Sequence, residues 1–294
     1  MKKRPLLTGF LIFILIAAFF FIFVYGSTIL IERSPLSDEG IAIIRITGVI
    51  LESGSTIEEL ERYSQNPSIK AIVLRIDSPG GGVVPSQEIY EEVRKVKGEG
   101  NKKIIVSMGS VAASGGYYIA SASDRIVANP GTLTGSIGVI MELANFEGLL
   151  NKVGIESVVI KSGEVKDIGS PFRKMSEKEK GILQGLLDDI HSQFIDAVAS
   201  GRGLKKEDIR LLADGRVFTG RQAKELGLVD ELGGLQDAIK IAADAVGIKG
   251  KPKIVETKKR FSIIDFVRDF SLLNMDKISP SRNGTISLKY MLSY

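Results

Sequence analysis

Apolar and polar positions change rhythm repeatedly along this chain, and each change predicts an element. An uncharged apolar stretch at 5–25 is followed by a linker, 26–40, that closes on the polar run RSPLSDEG. IAIIRITGVI at 41–50 then has the β-branched content of a strand, interrupted at Gly48. Thr56-Ile-Glu-Glu-Leu reads as an N-capped helix start with Glu59 at the third helical position. AIVLRID at 71–77 is the continuous apolar run of a buried strand, and a helix over 86–97, a strand over 104–108 and a helix over 112–122 follow. GSIGVIMEL at 135–143 and ESVVI at 156–160 read as further strands. Ser176 opens a long helix in which Ile182, Leu186, Ile190, Phe194 and Val198 recur at helical spacing, so that face is expected in the core. Shorter helices are expected over 205–213, 220–226 and 235–246. Strands alternating with helices imply βαβ units around a largely parallel sheet, an α/β fold spanning 41–250. From Lys251 the chain is weakly patterned, with Pro252, Pro280 and Asn283-Gly284 as breakers, and 251–294 reads as a basic peripheral tail.

The apolar stretch changes the picture most. Residues 5–25 carry no charge, and roughly 20 residues at about 1.5 Å each span a hydrocarbon core. A cleaved signal peptide would have a shorter apolar region, about 7–15 residues, and an A-x-A-like site, which the following Tyr-Gly-Ser-Thr does not offer. A transmembrane anchor in contact with lipid is expected, with Lys2, Lys3 and Arg4 in a cytoplasmic 1–4 terminus and the remainder outside the cytoplasm.

The formal net charge of +4 sits at the two ends, which leaves the middle mildly acidic. A nucleic-acid partner is therefore not expected, because phosphate binding needs the basic residues on the folded body. With no cysteine, disulfides, thiol nucleophiles and Cys-ligated metal sites are excluded. The 32 glycines suit a turn-rich α/β fold.

Two glycine-rich turns between a strand and a helix are the candidate chemistry. In Asp77-Ser78-Pro79-Gly80-Gly81-Gly82 the backbone can approach a ligand closely and aim N–H groups at it, as an oxyanion hole requires. No Gly-Lys-Ser/Thr follows, so it is not a P-loop. In Met108-Gly-Ser-Val-Ala-Ala-Ser114-Gly-Gly-Tyr-Tyr118 a serine stands where a helix begins among small residues, a setting that suits acyl transfer and equally a helix cap. A serine nucleophile needs a proton acceptor. His191 is the only histidine and falls on the long helix beside Ile190, the position of a core-edge residue. A lysine is the other option, provided that burial keeps it neutral. Lys161 and Lys166 both flank Gly163, and spacing does not choose between them.

Taken in order, DSPGGG, MGSVAASGGYYIA, NPGTLTGSIGVI, IKSGEVKDIGSP and ADGRVFTGRQAKELGLVDELGG resemble the signal peptide peptidase A family over residues 41–246. The resemblance implies a Clp-protease/crotonase-like fold of repeated β-β-α units behind the N-terminal transmembrane helix. It implies a serine endopeptidase with a Ser–Lys dyad, Ser114 as nucleophile and Lys166, rather than Lys161, as general base. Ser136 would orient the lysine, and the Gly81 and Gly115 N–H groups would form the oxyanion hole. It further implies remnant signal peptides and other unstructured apolar peptides as substrates, a homo-oligomeric ring, and neither cofactor nor metal. Crotonase-type acyl-CoA chemistry and a non-catalytic membrane scaffold are the rival readings, which a fluorophosphonate probe of Ser114 would separate from a hydrolase.

Overall fold

The structure, a computed structural model, describes residues 15–16, 18–20, 39–100, 102–257 and 289–291. The chain divides into two units, 1–39 and 40–294. Of the first, residues 15–16 and 18–20 are helical, and the rest of the expected 5–25 anchor lies outside the described residues. Among the described residues no helix is long and apolar enough to cross a membrane.

The second unit is built on a parallel sheet. Strands β1 (Gly40–Thr47), β2 (Ile69–Ser78) and β4 (Lys103–Ala113) run side by side and in parallel. Short strands β5 (Arg125–Ala128) and β6 (Leu133–Gly135) both pair with β4. Strand β7 (Val217–Thr219) closes one end antiparallel to β6, and β8 (Glu231–Leu232) pairs with β5. The continuous apolar runs follow from burial on both faces. Along β1, Ile41 and Ile43 pack with Ala238, Ile239 and Ala242 of one helix, Leu235–Ala245, while Ala42, Ile44 and Ile46 face the larger core on the other side. That larger core holds helices α1 (Gly54–Gln65), α2 (Val83–Gly98), α3 (Gly115–Ser121) and the C-terminal half of α5 (Glu177–Arg202). A short helix α4 (Glu147–Lys152) lies between α3 and α5 in the chain. Each fully buried Ile, Leu or Val contributes about 1.5–3 kcal/mol, so both faces hold the strands in register. The strands β2 and β4 end side by side at the two glycine-rich turns. In open parallel sheets ligands bind at this carboxyl edge.

Several boundaries differ from the sequence-based reading. Helix α1 begins at Gly54 behind Ser53, which makes no side-chain cap and instead donates its hydroxyl to Glu88, so Thr56 lies inside the helix. Strand β4 runs to Ala113 because it gains β6 as a neighbour along its second half, and the next helix starts at Gly115 rather than 112. Of 135–143 only Gly135 is strand, with a lone bridge at Ile140, and 156–160 forms none. Val158 and Ile160 are 75% and 97% exposed, since among the described residues no strand pairs with that segment. On α5 the expected core stripe is split. Phe194 and Val198 are buried against the sheet-side core, whereas Ile182 and Leu186, farther along the helix, are 42% and 50% exposed.

The C-terminal segment also departs from a peripheral tail in its described parts. Lys253–Glu256 adds strand β9 in parallel to the outer edge of β1. Lys289–Met291 forms strand β10, antiparallel to β3 (Gly80–Gly82). Residues 258–288 and 292–294 lie outside the described residues.

Candidate active site

Ser114 links the end of β4 to the start of α3 with φ 53° and ψ −116°, a conformation that a non-glycine residue adopts at a cost of order 1–3 kcal/mol. Its N–H donates to the Gly135 carbonyl at 2.8 Å, and its own carbonyl accepts from the Tyr118 N–H at 2.8 Å, so the residue is held at both ends. The side chain is 1% exposed, and its Oγ has no hydrogen-bond partner among the described residues. An unsatisfied buried hydroxyl costs a further ~1–3 kcal/mol. A packing serine carries neither cost, and both fall here on one residue.

The glycine turn is pressed against this serine. Gly80 has φ +103°, and a β-carbon there would lie 2.8 Å from Gly115 N and 2.1 Å from the Tyr290 carbonyl oxygen. A β-carbon on Gly115 would lie 3.3 Å from both Gly81 N and Tyr290 O, and 2.5 Å from Ser86 Oγ. The amide nitrogens of Gly81 and Gly115 therefore lie near one carbonyl oxygen, the neighbourhood an oxyanion hole needs. A β-carbon on Gly81 would lie 2.1 Å from the Ile50 carbonyl, so side chains are excluded from that position by the backbone itself. Asp77 ties the two turns together. Its carboxylate accepts from Val111 N at 3.1 Å, and a side chain at Gly109 would strike it at 2.4 Å.

Ser136 stands one residue beyond the carbonyl that accepts from Ser114. It is buried, with φ 51°, and its N–H donates to Arg216 O at 2.8 Å. Ser114, Ser136, Gly81 and Gly115 are thus gathered at one edge of the sheet, and Lys166 is not gathered with them. It lies in an exposed turn where its N–H donates to Gly163 O at 3.1 Å, and its ammonium makes no ion pair among the described residues. Lys161 is engaged with the Asp167 carboxylate at 2.5 Å and the Glu164 carbonyl at 2.6 Å. His191 lines a cavity of about 360 Å³ with Ser136, Ile140, Asp188 and Met291, and its Nε2 is buried without a hydrogen-bond partner among the described residues.

The Lys166 turn is clamped from one side. Arg173 donates to Asp167 at 2.8 Å and also pairs with Glu179, whose carboxylate forms the capping box at Ser176 on α5. The Arg173 guanidinium, followed by the Ser176 N–H, pulls the Glu179 carboxyl down to about 2, and Arg173 with Lys161 holds Asp167 well below the usual carboxylate range. Both folded values are depressed. The clamp is therefore complete above the ordinary carboxylate range of about 4–4.5 and is lost as pH falls toward 2. In an NMR titration the Glu179 carboxyl is expected to titrate near 2, and in Arg173→Met to move up toward the ordinary carboxylate range, the Ser176 N–H still holding it somewhat down. Titration of the wild-type group in the ordinary range would show that the clamp does not form in solution.

The sequence model of Peptidase family S49 matches residues 97–249, and that of Clp protease matches residues 42–131. The chain belongs to peptidase family S49. A Synechocystis sp. relative, provisionally named a protease, is 47% identical over 216 residues, covering 71% of this chain and 75% of its own length. An Enterococcus faecium protein, provisionally named signal peptide peptidase SppA, is 36% identical over 231 residues, 73% of this chain and 67% of that one. The chloroplastic serine protease SPPA of Arabidopsis thaliana is 35% identical over 230 residues, 78% of this chain and 32% of its own. The chain is accordingly a serine peptidase of the SppA family, on a mixed α/β fold with a Clp-protease-like part.

Sequence reasoning missed three participants. In the sequence Asp77 is only the start of the glycine motif, and its bracing of the second turn depends on register between β2 and β4. Ser86, whose Oγ donates to Gly82 O at 2.8 Å, looked like an ordinary helix residue. Tyr290 belongs to a segment with no motif. Its signal was the apolar run ISLKYMLSY following Asn283-Gly284, which stands out from the basic chain before it.

Proposed function

We propose that this protein is a membrane-anchored serine endopeptidase in which Ser114 attacks a peptide carbonyl and Lys166 takes its proton. The observation that carries the reading is Ser114, strained in its backbone, with a buried Oγ that has no partner among the described residues, beside the Gly81 and Gly115 amides. In this reaction the hydroxyl oxygen bonds to the carbonyl carbon, and the two N–H groups receive the charge that develops on its oxygen. The lysine that accepted the proton returns it to the leaving amine, and water then hydrolyses the acyl-enzyme. Ser136, next to the carbonyl that fixes Ser114, is suited to orient the lysine.

Because Lys166 is exposed in its own chain while Ser114 is buried, the reading places the lysine at the serine of a neighbouring copy in a homo-oligomeric ring. The exposed apolar residues Val158, Ile160, Ile182 and Leu186 supply surface for that contact. Substrates in this reading are extended apolar peptides such as the remnants of signal peptides. The 5–25 segment would hold the catalytic unit at the outer membrane face, with the N-terminus cytoplasmic. A fluorophosphonate probe is expected to label Ser114 in the full chain and to leave Ser114→Ala unlabelled. Equal labelling of both proteins would remove the serine from this role. An acyl-CoA-binding protein or a scaffold would not react at all.

A further inference from the structure

The Lys166 turn carries more charge than the proposed chemistry uses. We infer that Arg173 is a positioning residue for the general base, one that takes up the Asp167 carboxylate so that it cannot pair with Lys166 and hold that lysine protonated. The inference rests on the reading of Lys166 as the base.

Four carboxylates lie between residues 161 and 180, and each is met by a cation other than Lys166. Lys178 reaches Glu164 at 2.6 Å, Lys180 reaches Glu177 at 2.5 Å, and Arg173 pairs with Glu179. Asp167 is the one that bears on catalysis, because it follows Lys166 directly in the chain. Its two carboxylate oxygens accept from Arg173 Nε and Nη2, both at 2.8 Å. This is the two-pronged pairing that a planar guanidinium makes with a carboxylate, and it is stronger than a contact to a single ammonium. Glu179, in the first turn of α5, holds the same guanidinium from another edge, accepting from Nη1 at 2.9 Å. Without Arg173, Glu179 would keep the Ser176 N–H at 2.9 Å and its Oγ at 3.0 Å. Asp167 would keep Lys161 on Oδ1, and its Oδ2 would lose its donor. Lys161 shows the consequence, since its ammonium is engaged by that carboxylate, as the Lys166 ammonium would then be. An opposite charge within about 4–6 Å favours the protonated amine, by about tenfold or more in proton affinity. A base that must be neutral when Ser114 attacks loses that factor in rate at every pH below its titration. The charged groups linked to this turn by ion pairs are Lys161, Glu164, Asp167, Arg173, Lys178 and Glu179, and only the loss of Arg173 strips Asp167 of its paired donors.

The test is a pH–rate profile of the full chain on one unstructured peptide. Arg173→Met is expected to move the rising limb of kcat/KM about one pH unit to the alkaline side, a loss of about tenfold below the limb, with the plateau at high pH regained. The double variant Arg173→Met, Asp167→Asn lacks the carboxylate as well as the guanidinium, and it should return to the wild-type limb. A clamp that only keeps the turn in shape predicts the reverse, because the double variant has no clamp either. Should Arg173→Met fail to fold, Arg173→Gln keeps amide N–H groups for Asp167 without the charge and should show the same displacement. Trace acetylation with acetic anhydride, followed on the Lys166 peptide by mass spectrometry, reads the lysine's proton without turnover. Its extent at neutral pH should fall about tenfold in Arg173→Met and recover in the double variant. An unmoved limb in a folded Arg173 variant, or a double variant as impaired as the single one, would overturn the inference. Turnover surviving in Lys166→Ala would instead overturn the base, and the acetylation would still report on the pairing of Asp167.

Discussion

Replacing Lys166 by alanine is expected to lower kcat/KM on an unstructured peptide by about 10²–10⁴, the usual contribution of a positioned general base, with the fold retained. The side chain is exposed in its own chain, so its removal leaves no cavity. Lys166→Arg should fail as completely, because a guanidinium stays protonated and cannot accept the serine proton. Lys161→Ala should keep most activity, since that ammonium is already engaged by Asp167. Rate should rise with pH in the wild type, because the base must lose its proton before attack, and the rise should disappear in Lys166→Ala. His191→Ala is the decisive comparison. Its unpartnered Nε2 shares a cavity with Ser136, which makes it the one serious competitor for the role. Loss of activity in His191→Ala with retention in Lys166→Ala would replace the dyad by a histidine mechanism. Mixing inactive Ser114→Ala with inactive Lys166→Ala adds a second readout. Activity regained on mixing is expected if serine and lysine meet across two copies, and none if they meet within one.

Gly115→Ala should have the next largest effect. The added methyl would stand 3.3 Å from Gly81 N and from the carbonyl oxygen now in the site, and so would fill the space between the two proposed donors. Loss of one such donor typically costs about 2.7–4 kcal/mol, roughly 10²–10³ in kcat. The methyl would also approach Ser86 Oγ at 2.5 Å, so the variant should be made with and without Ser86→Gly. If relieving that clash restores the fold and also restores full turnover, the amides do not stabilise the transition state. Gly81 is the poorer position for this test, since any side chain there meets the Ile50 backbone at 2.1 Å and disturbs the turn before it disturbs catalysis.

Most of the core and much of the candidate site were legible in the chain because they are local. AIVLRID is buried on both faces of a parallel sheet, which removes the alternation of a half-exposed strand and leaves a continuous apolar run. The helix at Ser176 was legible through apolar residues recurring at helical spacing behind it, and the structure adds a capping box between Ser176 and Glu179. The turns DSPGGG and AASGG carry glycines wherever one backbone must approach another, and Gly80, Gly81 and Gly115 leave no room for a β-carbon. Where pattern misled, the partner was missing. ESVVI has the composition of a strand and pairs with no strand among the described residues, and Ile182 and Leu186 extend an apolar stripe past the point where the core ends.

The sequence by itself determined the parallel α/β core, the two glycine-rich turns and the family, because burial on two faces and close backbone approach each restrict residue type at fixed local spacing. Only the tertiary structure decided that Ser114 is strained and left without a partner, and that Asp77 braces the neighbouring turn. It alone set Lys166 at the surface while Lys161 is paired, and set Tyr290, more than 170 residues beyond Ser114, against Gly81 and the Tyr118 ring. These are contacts between segments far apart in the chain. Their geometry follows from the register of the sheet and from which edges remain open, and neither leaves a periodic mark on the residues that use them.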